Sequence, residues 1–191
     1  MNGRLWMVVV LAGALGLGLG AAVRHWWLAP GPTSAAAPAA AGGDSGPAEP
    51  VVGRPRPVFS LPALGDGKAH AITDYEGRVV LLNFWATWCP PCVEEVPALD
   101  ALQAELGDRG LRVLGVALEE AGPVRAFARE HGVDYPLLPG GRTAFDIAAE
   151  YGNGRGTLPY TVVIDRDGIV RATHQGALTR TEARELVIPW L

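Results

Sequence analysis

The sequence predicts an α/β fold in layers, with helices packed on a partly parallel central sheet, and three observations carry that prediction. Short apolar, β-branched runs alternate with longer runs whose apolar residues recur at steps of three and four. Strand-like runs at each end of the region are paired across turns rich in Gly and Asp, the mark of antiparallel hairpins. The region from 58 to 191 is also long enough to bury one core, whereas the chain before it lacks the large apolar residues to do so.

The elements follow in order. Phe59-Ser60-Leu61 and Ala69-His70-Ala71-Ile72, joined around Gly65-Asp66-Gly67, read as a short hairpin. Val79 to Phe84 is a buried strand. The spacing of Val96, Leu99, Leu102 and Leu106 predicts an amphipathic helix over 93–106. Leu111 to Leu118 is the next strand, and Val124 to His131 a helix closed by Gly132, with Phe127 facing inward. Tyr135 to Leu138 reads as a short strand and Thr143 to Tyr151 as a helix closed by Gly152. Tyr160 to Ile164 and Ile169 to His174 flank Asp165-Arg166-Asp167-Gly168, a strong hairpin signal. Thr179 opens a last helix, with Glu182 three residues on as its capping partner.

The chemistry sits between the first long strand and the helix after it. Cys89-Pro90-Pro91-Cys92 contains both cysteines of the chain. Cys89 falls just before the first helical turn, near the unpaired N–H groups and positive dipole end of a helix, which favours a thiolate poised for disulfide exchange. Cys92, one turn further in, is close enough to close a disulfide onto it. Structural zinc needs four ligands, and His25, His70, His131 and His174 are scattered without ligand spacing, so no metal or other cofactor is expected. Covalent haem attachment needs a histidine directly after the second cysteine, where Val93 stands. A purely structural disulfide would close too small a loop to constrain the unfolded chain much. The pair therefore points to thiol–disulfide redox chemistry.

A net charge of −4 argues against nucleic acid as a partner. Residues 1–28 read as a membrane anchor or signal segment. Leu5 to Val23 carries no charge, Arg4 precedes it, and Arg24, His25, Trp26 and Trp27 follow, with tryptophans suited to a membrane boundary. An uncleaved single-pass anchor is favoured over a signal cleaved near Gly20-Ala21-Ala22, because the apolar run exceeds a usual signal core. Residues 29–57, rich in Ala, Pro and Gly, read as a flexible linker, and 58–191 as the folded domain.

Five stretches in order carry a resemblance to a family. They are Phe59-Ser60-Leu61-Pro62, Asp74-Tyr75-Glu76-Gly77-Arg78-Val79-Val80, the Asn83-to-Cys92 segment, Glu95-Val96-Pro97, and Leu158-Pro159-Tyr160-Thr161-Val162-Val163-Ile164-Asp165. Together they resemble the membrane-tethered TlpA/ResA-like thiol–disulfide oxidoreductases of the thioredoxin superfamily, over essentially all of 58–191. The resemblance implies a thioredoxin-like fold with an N-terminal hairpin and an insertion between the 111–118 and 160–164 strands. It implies Cys89 as attacking and Cys92 as resolving cysteine, a cis peptide before Pro159, and partner pairing along the backbone at Leu158–Pro159. For Glu95 it implies tuning of the cysteine pair and proton shuttling; read from the residues alone, Glu95 is equally an ordinary solvated carboxylate in a first turn. Asn83 stands where cytoplasmic thioredoxins carry a buried aspartate, so Glu95 or water must take over that acid's work. Trp88 is expected to shape the partner surface and Trp85 to pack in the core.

Pro90 and Pro91 remove two N–H donors from beside the Cys89 sulfur, which favours a reductase. The family further implies disulfide-bearing client proteins, such as apocytochrome c or copper-site proteins under assembly. It also implies a membrane electron-donor thiol relay and a location on the periplasmic face of a bacterial inner membrane. Rival readings are a disulfide-donating oxidase, a copper(I) carrier holding its metal on Cys89 and Cys92, and a peroxidase, which lacks support at Ala86 where a threonine would be expected.

Overall fold

The computed structural model describes residues 50–191 apart from Asp66. The expected anchor over 1–28 and most of the expected linker lie outside the described residues, and among the described residues no helix is long and apolar enough to cross a membrane. The central sheet has five strands in the order β5-β4-β3-β6-β7. These are β3 (Val79–Trp85), β4 (Leu111–Ala117), β5 (Leu137–Pro139), β6 (Tyr160–Ile164) and β7 (Val170–Gln175). Strand β3 runs parallel to β4, and β4 to β5, while β6 and β7 are antiparallel to their neighbours. The expected hairpin forms as β1 (Ser60–Pro62) and β2 (Ala69–Ala71) in a separate two-stranded sheet. The helices are α1 (Pro90–Leu106), α2 (Ala121–His131), α3 (Gly141–Glu150) and α4 (Arg180–Val187). This is a thioredoxin-like fold, a mixed sheet flanked by helices.

Strand β3 is buried along its whole length because both faces of the sheet are covered, which is why it reads as a continuous apolar run. Side chains alternate between faces. Val79, Leu81 and Trp85 join Val96, Leu99 and Leu102 of α1 in one core, and Val80, Leu82 and Phe84 join Ile147 and Ala148 of α3 in the other. Helix α1 begins earlier than its apolar spacing shows. Pro90 and Pro91 occupy its first two positions, where no N–H is needed and a fixed φ suits the helix. The β6–β7 turn closes on Gly168 at φ 76°, a conformation that side chains resist. Thr179 and Glu182 form the reciprocal cap at the start of α4.

One boundary needs correction. Composition assigns Val51 to Pro57 to the linker, yet this stretch runs along β7. Gly53 N–H donates to the Val170 carbonyl at 2.7 Å and Arg56 N–H to the Gly168 carbonyl at 2.8 Å. Tyr151 donates its hydroxyl to the Pro57 carbonyl at 2.7 Å, fastening this segment to α3. Backbone pairing holds it, so its lack of apolar bulk gave no sign of order.

Candidate active site

Strand β3 ends at Trp85, the chain turns through Ala86–Trp88, and Cys89 takes the N-cap position of α1. Cys89 and Cys92 are joined in a disulfide with their Cα atoms 5.3 Å apart. Cys89 is 5% exposed and Cys92 fully buried, so Cys89 is the outer sulfur, as its place before the helix predicts. The expectation of unpaired N–H groups beside it does not hold. Pro90 and Pro91 have none, and the N–H groups of Cys92 and Val93 both donate to the Cys89 carbonyl, at 3.0 and 3.1 Å. Of the two contributions expected from the start of α1, its dipole is the one that remains to favour a Cys89 thiolate.

The other predicted residues divide by exposure. Trp88 is 61% exposed, and Pro90 and Pro91 are also at the surface, so the residues on either side of Cys89 in the chain face solvent. Trp85 is in the core, its ring centroid 5.0 Å from that of Phe127. The Leu158–Pro159 peptide is cis. Pro159 immediately precedes β6, whose Tyr160 pairs with Phe84, so it reaches the end of β3 where the chain departs toward Cys89. Leu158 is half-buried and packs against the core that contains both cysteines.

Glu95 is not a solvated carboxylate. It is 2% exposed, one turn beyond Cys92 on α1. Its Oε1 accepts from Asn83 Nδ2 at 2.7 Å and its Oε2 from the Leu178 N–H at 3.0 Å. Burial pushes its pKa up to about 7, against the pull of the Leu178 and Asn83 donors toward the charged form. A carboxyl at that value changes charge near neutrality, the property a proton-exchanging group needs. Asn83 also donates to Thr161 Oγ1 at 3.1 Å, tying β3, β6 and α1 together at one buried point.

Sequence reading missed two residues that hold the site. Glu119, just after β4, accepts from both the backbone N–H and the hydroxyl of Thr87, the latter at 3.0 Å. It thereby fixes the loop two residues before Cys89. Asn153 is buried and bridges Thr157 through both its backbone groups, donating to the carbonyl at 2.9 Å and accepting from the N–H at 3.0 Å. This clasp sets the segment that runs into Leu158–Pro159. A Gly-rich loop holding one Asn was the only available sign of it.

Residues 51–187 match the Redoxin family. The chain is 36% identical over 137 residues to the thioredoxin-like protein YneN of Bacillus subtilis (strain 168), covering 70% of this chain and 76% of that protein. It is 34% identical over 136 residues to the thiol-disulfide oxidoreductase ResA of Geobacillus thermodenitrificans (strain NG80-2), covering 71% and 75%. Among solved structures, a thiol:disulfide interchange protein of the thioredoxin family from Chlorobium tepidum TLS superposes with a TM-score of 0.65 at 28% identity, covering 77% of this chain and 98% of that one.

Proposed function

The chain belongs to the redoxin family and is a thiol–disulfide oxidoreductase, and from that premise we propose that it reduces disulfides of specific exported proteins while tethered to the membrane by residues 1–28. The observation that carries the direction of flow is the N-terminus of α1. With no N–H of the first turn of α1 left free for the Cys89 sulfur, the thiolate lacks the helix-end stabilisation that helps make a strong oxidant. In the reduced protein the Cys89 thiolate attacks one sulfur of a client disulfide, breaking that bond and releasing one client thiolate. Cys92 then gives up its proton and attacks the Cys89 sulfur. The mixed disulfide breaks, the second client thiolate leaves, and the protein is left oxidised, as it stands here. Two electrons have passed to the client.

Glu95, buried one turn beyond Cys92 on α1 and neutral or charged near pH 7, is the group we assign to take and return the Cys92 proton. Trp88, Pro90, Pro91 and Leu158 form the surface that meets the client, and Pro159, itself buried, sets the backbone beside Leu158 through its cis peptide. The oxidised protein is recharged by a thiol relay in the membrane, and tethering concentrates it near that donor. Clients of the cytochrome c or copper-site maturation type fit this chemistry, since their cysteines must be kept reduced before cofactor insertion.

The test is the equilibrium reduction potential of Cys89–Cys92. A value near or below about −250 mV, on the thioredoxin side of the scale, supports a reductase, and one near about −120 mV, like DsbA, means that the protein donates disulfides instead.

A further inference from the structure

Asn83 stands where β3, β6 and α1 meet, and its amide is used at one end only. Nδ2 donates to Glu95 Oε1 at 2.7 Å and to Thr161 Oγ1 at 3.1 Å, while Oδ1 is buried with no hydrogen-bond partner among the described residues. The second Glu95 oxygen accepts from the Leu178 N–H at 3.0 Å. Both carboxyl oxygens thus face donors, which suits the ionised form. Neither partner of the carboxyl can accept the O–H of a protonated Glu95, because Asn83 Nδ2 and the Leu178 N–H are both donors.

Leu178 donates from the backbone and cannot adapt. Asn83 can. Half a turn about its terminal torsion exchanges Oδ1 and Nδ2, which are nearly equal in size. Oδ1 then accepts from the Glu95 O–H and from the Thr161 hydroxyl, whose proton is free to rotate. The number of bonds made by the amide is the same: the oxygen gains the two contacts that Nδ2 gives up, and Nδ2 takes the end without a partner.

We propose that Asn83 is a positioning residue whose side-chain amide turns over with the protonation of Glu95, with Thr161 as its second contact in both states. The inference rests on the reading of Glu95 as the proton-exchanging group. Its consequence is that the amide end facing Glu95 sets that group's proton affinity: Nδ2 inward holds the carboxylate and Oδ1 inward holds the acid. A carboxylate at position 83 could not serve both states, because two like charges at hydrogen-bond distance resist joint ionisation.

The other titratable groups around this point can be separated from it. The cysteines are in a disulfide. Tyr135, preceding β5, is driven far upward by burial and by the charges of Glu95 and Asp100 on α1. His174 of β7 lies opposite Thr161 in register; the Glu182 carboxyl of α4 is held low first by the hydrogen bonds from Thr179 and last by His174.

The experiment follows Glu95 and Asn83 together by NMR in the oxidised full-length protein, where no thiol titrates. Glutamate carboxyl carbons and asparagine side-chain nitrogens are labelled, Glu95 is assigned through Glu95→Gln, and a His174→Gln background removes the nearby imidazole. Between pH 5 and 9 the Asn83 amide resonances should shift with the midpoint of the Glu95 carboxyl, and contacts from the amide protons to the Thr161 methyl should vanish on the acid side. Asn83→Leu should raise that midpoint by about one pH unit, a tenfold gain in proton affinity, because the charge-assisted bond to the carboxylate is the stronger of the two that it removes. Amide resonances that stay constant while Glu95 titrates overturn the inference and leave the reading of Glu95 standing. An unchanged midpoint in Asn83→Leu overturns it as well. If Glu95 does not titrate in this range, both fall together.

Discussion

The two faces of the central sheet are built from alternating residues of the same strands, yet they carry opposite kinds of interior. On the α3 side Phe59, Phe84, Tyr151 and Tyr160 interlock, with ring centroids 5.9 to 6.3 Å apart. The two hydroxyls there are satisfied by carbonyls, Tyr151 by Pro57 at 2.7 Å and Tyr160 by Tyr151 at 3.0 Å. On the α1 side the interior holds a buried carboxyl, an amide and a threonine hydroxyl. Three of its buried polar atoms, Asn83 Oδ1, Trp85 Nε1 and Tyr135 Oη, have no partner among the described residues; elsewhere the Nε atoms of Arg56 and Arg112 have none either. Buried polar groups without partners are costly and uncommon. The α3 face is a scaffold, and the α1 face accepts that cost beside the cystine, where a group able to change charge has a use.

The sharpest break between the faces is chemical. Cys89→Ser should abolish reduction of a model disulfide substrate, whereas Cys92→Ser should still form, and then retain, a mixed disulfide visible on a non-reducing gel. Equal loss in both with no trapped adduct would count against the assigned order of attack.

On the opposite face, Phe84→Ala should cost about 3–5 kcal/mol in denaturant unfolding, because it removes a fully buried ring from a close-packed cluster. The reduction potential should not move. A shifted potential would show that the two faces are coupled more tightly than their packing implies.

Glu95→Gln tests what the α1 face tolerates. The unfolded chain releases this proton near the ordinary 4.5, and the folded protein releases it near 7. Between those values the folded state holds more protons than the unfolded one, so stability present below pH 4.5 is lost as pH rises through 7. The loss is about 3 kcal/mol by the size of the shift. Chemical denaturation at pH 4.5 and pH 8 should show this decline in the wild type and not in Glu95→Gln. The same variant should flatten the dependence of the exchange rate on pH around neutrality. A rate profile that keeps its shape would remove Glu95 from the mechanism.

The smallest effect belongs to an element common to either kind of interior. Thr179→Ala removes the cap of α4 and should lower stability by about 1 kcal/mol, read as a shift of the denaturation midpoint.

These features differ in how far the sequence alone reveals them. The Thr179–Glu182 cap and the turn closing on Gly168 are legible because each is settled within a few residues of chain. The placement of Cys89 at the N-cap of α1 is legible for the same reason, since a strand run, two prolines and a helical spacing fix it locally. The order along Val51–Pro57 was not legible, because it depends on carbonyls of β7 more than a hundred positions downstream, such as that of Val170. The Asn153 clasp and the Glu119 hold on Thr87 escaped notice for a related reason: a lone polar residue in a loop looks solvated until its partner is placed.

Glu95 shows the division most clearly. The sequence determined that a carboxyl would follow Cys92 by one helical turn, on the same helix as the redox pair, and that a neutral amide would stand at position 83. Whether the carboxyl met water or protein depended on the loop before α4, which supplies the Leu178 N–H from 83 residues away, and on the pairing of β3 with β6. Spacing along a helix fixes direction, while burial and hydrogen-bond partners are set by elements distant in the chain. Those two quantities govern the charge of a carboxyl, so only the tertiary structure decided that Glu95 changes charge near neutrality.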